Sequence, residues 1–228
     1  MPVKACVFDA YGTLFDVAAA ARIAAKEDEH SRLAAVWPKL AEIWRSKQLQ
    51  YTWLRSITDD YCDFWQVTQD GLDYAMEALR LEGETELRER LLALYWELQA
   101  YDEVPEMLAR LKAYGLKTAI LSNGSPDMLT GAVQSAGLED LFDEVLSVKS
   151  VGVFKPSAKV YDLVSKTLDV AASEVLFVSS NGWDAAGACG YGFQTVWVNR
   201  AGDPMDNLPA KPAFELDDLT RIPELAAR

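Results

Sequence analysis

Two apolar patterns divide the chain. From about residue 101 to residue 199, short continuous apolar runs alternate with stretches whose apolar residues recur every three or four positions. The runs have the length of strands, and the recurring stretches have the period of amphipathic helices. Continuous apolar strands between helices are typical of a parallel sheet that is covered on both faces. A further apolar run over residues 3–8 predicts a strand of the same sheet near the amino end.

Turn and cap residues separate these elements where the pattern changes. Gly115 stands where one helical stretch ends, and Pro126 stands near the start of the next, as both residue types prefer. The predicted strands cover residues 3–8, 116–122, 143–148, 174–180 and 193–199. The predicted helices between them cover residues 104–115, 125–137, 157–168 and 182–192.

Between Asp16 and Ala100 the periodicity is helical only, over residues 34–57, 59–80 and 85–101. Five of the seven tryptophans fall in this segment: Trp37, Trp44, Trp53, Trp65 and Trp96. We interpret it as a helical cap that is inserted after the first strand and packs over the carboxyl edge of the sheet. The predicted fold class is therefore α/β, with a Rossmann-like parallel sheet core and a helical-bundle cap. We expect residues 1–15 and 100–228 to form the core and residues 16–99 to form the cap.

Composition excludes several classes of function. The chain has 228 residues and a formal net charge of −13 without a basic tract, which argues against nucleic-acid or anionic-membrane binding. No apolar run approaches the roughly 18 residues of a membrane helix, and no signal-peptide pattern is present. Three scattered cysteines suit a reducing cytoplasm. The single histidine, His30, lies among charged residues and is expected at the surface, and the count excludes a histidine-based catalytic triad.

Polar side chains follow the predicted strands where the strands end. In a parallel sheet these ends meet at one edge, which is where ligands bind. Turn, cap or solvated-surface roles explain nearly every one of these side chains taken singly, but together they form a set of acids, hydroxyls, amides and one cation that is typical of an active site. The set consists of Asp9, Tyr11, Thr13, Ser122, Asn123, Lys155, Ser179, Asn181 and Asp184.

The strings around these residues also resemble a known family. FDAYGT, LSNGS, KP and SSNGWD resemble the four motifs of the haloacid dehalogenase superfamily. The resemblance implies a Rossmann-like core with a cap inserted after the first strand. Most members of that superfamily are Mg²⁺-dependent phosphatases and carry a second acid where this chain has Tyr11.

The chain departs from the phosphatase pattern at two places. Tyr11, with an ordinary pKa of about 10, cannot shuttle protons as a carboxylate does. Ser179, Ser180 and Asn181 are neutral where ligands for a hard cation are expected. A halide leaving group needs neither a proton nor a metal. These departures resemble the L-2-haloacid dehalogenases, which implies metal-independent hydrolysis of (S)-2-haloalkanoic acids to (R)-2-hydroxy acids, with no cofactor.

That resemblance implies a role for each residue. Asp9 would attack the substrate and form an aspartyl ester, Lys155 would keep Asp9 ionised, and Thr13 and Ser179 would hold the Asp9 oxygens. Ser122 would orient the substrate carboxylate. Asp184, beside Asn181, would position or activate the hydrolytic water, and Tyr161 would bond into the Lys155–Asp184 network. The cap string IWRSKQLQYTWLR supplies Arg45, which with Asn123 would receive the halide. The remaining substrate-binding residues would form an apolar wall: Tyr11, Leu49, Phe64 and Trp183.

Several alternatives remain open from the sequence. One is a phosphatase that has lost its second acid, and another is a binding protein that keeps only the fold. A dehalogenase that prefers fluoroacetate is a third, because a tighter halide pocket would favour the small ion. Ser46 stands where relatives often carry glutamine, so the shape of the pocket is expected to differ. The resemblance also suggests a homodimer through the helical cap.

Overall fold

Six short apolar segments pair into one sheet in a computed structural model that describes residues 2–27, 31–96 and 98–227. All neighbouring strands are parallel, and the order across the sheet is third, second, first, fourth, fifth, sixth. The strands are β1 (Ala5–Phe8), β2 (Lys117–Ser122), β3 (Glu144–Ser147), β4 (Val175–Ser179), β5 (Gln194–Val198) and β6 (Phe214–Leu216). Every residue of β1 and β4 is buried, so the centre of the sheet is covered on both faces.

The register of the central strands aligns their carboxyl ends. Phe8, the last residue of β1, lies opposite Ile120 of β2 and Val178 of β4. The next residue, Asp9, continues the ladder because its N–H donates to the Val178 carbonyl at 2.9 Å. The polar residues that follow β1, β2 and β4 therefore meet at one edge of the sheet.

The core helices follow the predicted pattern closely. They are α6 (Val104–Ala113), α7 (Pro126–Ser135), α8 (Ala158–Leu168), α9 (Gly182–Tyr191) and α10 (Ile222–Ala226). Each of α6 to α9 lies inside its predicted range, and Gly115 has the positive φ of +73° that its position after α6 requires. The short elements β6 and α10 were not predicted.

Among the described residues between β1 and α6, the named elements are all helices, and the last three of them correspond to the stretches that the periodicity predicts. The helices are α1 (Ala19–Ala24), α2 (Ser31–Ala34), α3 (Trp37–Thr58), α4 (Phe64–Ala78) and α5 (Thr85–Trp96). The long helix α3 buries one stripe of side chains four residues apart, formed by Leu40, Trp44, Gln48 and Thr52. Gly71 of α4 faces this stripe, and a Cβ there would lie 3.3 Å from Trp44 atoms and from the Gln48 nitrogen. Glycine therefore lets α3 and α4 approach closely.

Two chain segments that run side by side join these helices to the sheet. The Asp16 N–H donates to the Gln99 carbonyl at 2.9 Å, and the Tyr101 N–H donates to the Leu14 carbonyl at 3.0 Å. His30, expected at the surface, lies outside the described residues. Among the helices that the structure describes, none combines the length and apolar character needed to span a membrane.

Candidate active site

Asp9 stands at the centre of the edge where the strands end. Its backbone is held by the β1–β4 ladder, and the residue is only 6% exposed. Lys155 Nζ donates to Asp9 Oδ1 at 2.9 Å. Thr13 Oγ1 and Asn181 Nδ2 donate to Asp9 Oδ2 at 3.0 and 2.9 Å. Three donors thus hold one nearly buried carboxylate in a single orientation.

Lys155 lies between two acids. Its ammonium donates to Asp184 Oδ2 at 2.7 Å as well as to Asp9, and the side chain is 1% exposed. Burial opposes the charge, but the carboxylates of Asp184 and Asp9 outweigh it and raise the pKa of Lys155 above its ordinary value. The Lys155 N–H donates to Asn123 Oδ1 at 2.9 Å, which fixes the loop that carries the lysine.

Asp184 completes this buried network from the first turn of α9. It accepts hydrogen bonds from Lys155, from Tyr161 Oη at 2.8 Å and from Ser179 Oγ at 3.1 Å. Burial raises the pKa of Asp184 and opposes the effect of the Lys155 ammonium, which lowers it. Burial and the neighbouring Asp184 also raise the pKa of Tyr161, so its hydroxyl stays a hydrogen-bond donor.

The position of Ser179 differs from the expectation. The hydroxyl was expected to hold an Asp9 oxygen, but it donates to Asp184 and accepts from the Asn181 N–H at 3.1 Å. The oxygen of Asp9 receives the Asn181 side chain instead. The reason is geometric: α9 begins directly after β4, and its first turn brings Asp184 back over Ser179.

Ser122 and Asn123 lie beside this network at the end of β2. Ser122 is fully buried, and its Oγ accepts from the Gly124 N–H at 3.0 Å. Any side chain at position 124 would clash with Tyr11, because a Cβ there would lie 2.7 Å from Cε2 of the tyrosine ring. The tyrosine at the phosphatase acid position therefore packs directly on the turn that carries Ser122 and Asn123.

Arg45 reaches this edge from the long helix α3. Its Nη2 donates to the Tyr11 carbonyl and to Asn181 Oδ1, both at 3.2 Å, and its Nη1 donates to Gln48 Oε1 at 2.9 Å. Asn181 thus contacts Arg45 through its amide oxygen and Asp9 through its amide nitrogen. The guanidinium lies one side chain away from the carboxylate that the sequence singles out.

Aromatic rings line the same region. Tyr11 lies 5.8 Å from Phe64 and is stacked on Tyr95 at 5.7 Å, measured between ring centroids. Burial, with smaller effects of Tyr95 and Asp9, raises the pKa of Tyr11 well above its ordinary value. Trp183 of α9 meets Trp53 of α3 edge to face at 5.4 Å. Leu49 lies on α3 and is half-buried.

Two residues that lie in this region were not predicted from the sequence. Gln48 and Tyr95 are both buried, and both contact the Arg45 environment. A signal for Gln48 was present, because it falls on the Leu40–Trp44–Gln48–Thr52 stripe, where a polar residue needs a buried partner. Tyr95 carried no comparable signal, since a tyrosine on an apolar helix face usually packs in a core.

The donor set does not fit a magnesium ion. Among the described residues, no group of three histidine, cysteine or acidic side chains is arranged to hold a metal. The Lys155 ammonium lies within hydrogen-bond distance of both acids, so a positive group already stands between them. Mg²⁺ favours carboxylates and phosphate oxygens in octahedral geometry. The arrangement fits a carboxylate that is paired with a fixed ammonium, with no metal between the two acids of the described site.

Comparisons with known proteins agree with this geometry. The family model of haloacid dehalogenase-like hydrolases matches residues 3–190. The chain is 42% identical to (S)-2-haloacid dehalogenase 1 of Pseudomonas sp. (strain CBS-3), over 100% of this chain and 98% of that protein. It is 45% identical to an (S)-2-haloacid dehalogenase of Xanthobacter autotrophicus, over 87% of this chain and 76% of that protein.

A solved structure gives the same picture. The L-2-haloacid dehalogenase from Xanthobacter autotrophicus with chloropropionic acid covalently bound superposes with a TM-score of 0.87 and 38% identity, and 98% of each chain is covered. The fold, the motif strings and the full-length likeness agree. The chain belongs to the haloacid dehalogenase-like hydrolases and, within them, to the (S)-2-haloacid dehalogenases.

Proposed function

We propose that this protein hydrolyses (S)-2-haloalkanoic acids to (R)-2-hydroxy acids and halide through an ester on Asp9. The observation that carries the proposal is the Asp9–Lys155 pair in a site where position 11 is a buried tyrosine. The ammonium lies 2.9 Å from Asp9 Oδ1, and the position where the phosphatases carry an acid to protonate the leaving group holds the buried Tyr11. Halide is the leaving group that needs no such acid.

The hydrogen bonds favour one Asp9 oxygen as the nucleophile. A carboxylate oxygen has two lone-pair directions. Thr13 and Asn181 use both on Oδ2, whereas among the described residues Lys155 is the one donor to Oδ1. In the first step Oδ1 forms a bond to C2 of the substrate, the carbon–halogen bond breaks, and the halide leaves with the electron pair. Attack in line from the opposite face inverts C2, which turns the (S) acid into the (R) product.

The substrate carboxylate and the departing halide are both anions, and the chain has a formal net charge of −13. Local positive groups and hydrogen-bond donors must therefore bind them. Arg45 is suited to receive the departing halide, because its hydrogen bonds place it beside Asn181 and the Tyr11 carbonyl. Ser122, with N–H groups of the loop after β1, would orient the substrate carboxylate. Asn123 would assist Arg45 from the loop after β2. Orientation of this kind can lower a barrier by about 7–11 kcal/mol.

Water attack on the carboxyl carbon of Asp9 would complete the cycle. The acyl–oxygen bond breaks, the original Asp9 oxygen leaves as the product hydroxyl, and one proton is released. Asp184 is the candidate that positions this water. Its carboxylate has about four lone-pair sites, of which Lys155, Tyr161 and Ser179 occupy three. One site is left to accept a hydrogen bond from water.

We also propose that residues 16–99 act as a cap over a core of residues 1–15 and 100–228. Two backbone hydrogen bonds support this boundary, one between Asp16 and Gln99 and one between Leu14 and Tyr101. They show that the two chain segments that connect the helices to the core lie side by side. Arg45 then belongs to the cap and Asp9 to the core, so the site is complete only when the two are packed together. Limited proteolysis that releases a fragment ending near residues 16 and 99 would test the division.

Two further properties belong to the proposal. A homodimer through the cap is supported by exposed apolar side chains on α3 and α4, among them Ile57, which is 80% exposed. Light scattering coupled to size-exclusion chromatography would measure the mass of the assembly.

A cytoplasmic location is supported by the unpaired state of Cys6, Cys62 and Cys189. Fractionation of the producing cells would test it.

Chloride release from (S)-2-chloropropionate tests the proposed function directly. We expect chloride and (R)-lactate in equal amounts from the wild-type protein, and neither from the Asp9→Asn variant, whose amide is a far poorer nucleophile of nearly the same shape. Hydrolysis of a generic phosphate ester with no chloride release would show that the protein is a phosphatase instead.

A further inference from the structure

Gln48 is a buried amide on the apolar stripe of α3. It is 1% exposed and lies between Trp44 and Thr52 on the face that packs against α4. Burying an amide is unfavourable unless its polar atoms are bonded. The Nε2 group donates to Thr68 Oγ1 at 2.8 Å and to Tyr95 Oη at 3.1 Å, and Oε1 accepts from Arg45 Nη1 at 2.9 Å. Every polar atom of the amide is therefore engaged.

The orientation of this amide follows from the proton on Thr68. The Thr68 hydroxyl donates its single proton to the Phe64 carbonyl at 2.8 Å. Its oxygen must then accept a hydrogen bond from Gln48, so the amide nitrogen faces Thr68 and the amide oxygen faces Arg45. The first turns of α4 thus determine which atom of Gln48 the guanidinium meets.

All the hydrogen-bond partners that hold Arg45 are neutral oxygens. Among the described residues they are Gln48 Oε1, the Tyr11 carbonyl and Asn181 Oδ1, with the neutral Tyr95 hydroxyl beside them. Among the described residues, no carboxylate lies within ion-pair distance of Arg45, whereas many other arginines of the chain are paired with acids. Neutral partners aim the guanidinium without cancelling its charge.

Space for an ion lies beside these groups. Arg45 and Gln48 line a cavity of about 320 Å³ together with the aromatic rings of Trp37, Trp44 and Tyr95. Glu42 also lies on its wall, and the carboxylate of Glu42 is paired with Lys39 at 2.9 Å. Most of the wall is apolar, and Glu42 already has a lysine partner. The Arg45 guanidinium, which has no carboxylate partner among the described residues, is therefore the group on the wall that would attract an anion. An acid at position 48 would neutralise the guanidinium and so remove that attraction. An apolar residue there would remove the hydrogen bond that fixes the orientation of the guanidinium.

We infer that Gln48 is a positioning residue for halide release: its amide oxygen aims the Arg45 guanidinium while leaving the positive charge available to the departing ion. The inference rests on the proposed function, in which Arg45 receives the halide. Gln48 acts in the step that breaks the carbon–halogen bond. It has no part in the hydrolysis of the Asp9 ester.

Three variants and a control test this inference. Gln48→Met keeps the length of the side chain and removes the acceptor. Gln48→Glu keeps an acceptor and adds a negative charge. Thr68→Val keeps the shape of the side chain and removes the hydroxyl that orients the amide, together with the hydrogen bond of that hydroxyl to the Phe64 carbonyl. Gln50→Met makes the same chemical change at an exposed position of the same helix and is the matched control. Single-turnover experiments with (S)-2-chloropropionate and (S)-2-bromopropionate separate ester formation from ester hydrolysis.

We expect Gln48→Met to slow ester formation by about tenfold to a hundredfold, the range of a modest misplacement of a catalytic group. The loss should be larger for chloride than for bromide, because the poorer leaving group depends more on Arg45. Ester hydrolysis should stay within about twofold of wild type. Thr68→Val should give the same pattern with a smaller loss. Gln48→Glu should weaken inhibition by added bromide about tenfold, and Gln50→Met should match wild type.

Several results would overturn the inference. Equal slowing of both steps, or equal loss with both halogens, would mean that Gln48 only supports the fold. Normal ester formation in Gln48→Met and Thr68→Val would mean that Arg45 needs no such partner. If wild type releases chloride and Arg45→Met does not, while both Gln48 variants behave as wild type, this inference fails and the proposed function stands. A wild-type protein that releases no halide would overturn the proposed function and this inference with it.

Discussion

Lys155 Nζ lies 2.9 Å from Asp9 Oδ1, in a position where the lysine is 1% exposed. The two residues are 146 positions apart and come from the loop before α8 and the end of β1. Because the same ammonium also contacts Asp184 at 2.7 Å, one buried cation serves two buried carboxylates. Removing or neutralising any one of the three charged groups therefore changes the electrostatic environment of the other two.

Replacing Lys155 by methionine removes the cation and leaves two acids buried side by side. Breaking a buried ion pair by removing one partner typically costs about 3–5 kcal/mol. We expect the free energy of unfolding in urea to fall by about that amount and chloride release to become undetectable, since Asp9 would lose the donor that holds Oδ1 and would face the Asp184 carboxylate without a cation between them. A Lys166→Met variant, which changes an exposed lysine on α8, is the control for loss of charge alone. Unchanged activity in Lys155→Met would rule out the role assigned to the ammonium.

The raised pKa of Lys155 predicts how activity depends on pH. Burial alone would lower the pKa of the lysine, but Asp184 and Asp9 raise it above the ordinary value of about 10.4. A group whose pKa is raised on folding stabilises the fold below the unfolded pKa, and that contribution is lost as pH rises through the folded pKa. Lys155 therefore keeps the positive charge on which both the fold and the site depend until the pH exceeds its ordinary pKa. We therefore expect kcat/KM for chloride release to show no decline due to Lys155 below about pH 10. A decline centred near pH 8 that moves in Lys155→Arg would contradict this assignment.

Chelation should leave activity unchanged. The ammonium occupies the position between the acids, and the neighbouring Ser179, Ser180 and Asn181 are neutral. We expect the rate of chloride release in excess EDTA to equal the rate in excess Mg²⁺. Loss of activity in the chelator that Mg²⁺ restores would contradict the dehalogenase chemistry as argued.

Asp184→Asn should separate the two chemical steps. Asp184 contacts Lys155, Tyr161 and Ser179, whereas the hydrogen bonds to Asp9 come from Lys155, Thr13 and Asn181. Losing the candidate water-positioning group should slow ester hydrolysis more than ester formation. Mass spectrometry of the quenched enzyme should then find the Asp9 peptide heavier by the acyl fragment. Equal slowing of both steps without accumulation would assign Asp184 to the structure of the site alone.

The sequence predicted the sheet and the edge of the site because both depend on local pattern. Continuous apolar runs mark β1, β2 and β4, and the polar residues after them, such as Asp9 and Ser122, can lie only at the carboxyl edge. The strand β6 was missed because Phe214–Leu216 is three residues long and contains no buried residue. A segment this short has no periodicity to detect.

The sequence pattern could not predict which side chains within the site form hydrogen bonds with each other. Ser179 and Asn181 follow the same strand, and nothing in their order says which one bonds to Asp9. The first turn of α9 decides it by bringing Asp184 onto the Ser179 hydroxyl. Gln48 was missed for a related reason: its importance depends on Thr68 and Arg45, which reach it from another helix and from one turn earlier on its own.

Formation of the Asp9 ester is the central claim, and oxygen isotopes test it most directly. If Asp9 attacks C2, its own oxygen leaves in the product and solvent oxygen replaces it in the side chain. A single turnover of (S)-2-chloropropionate in ¹⁸O-water with enzyme in excess should label Asp9 and leave the lactate almost unlabelled. Trypsin cleaves after Lys4 and Arg22, so the peptide of residues 5–22 carries the label for mass spectrometry. Labelled lactate with an unlabelled peptide would show that water attacks C2 directly and would contradict the account.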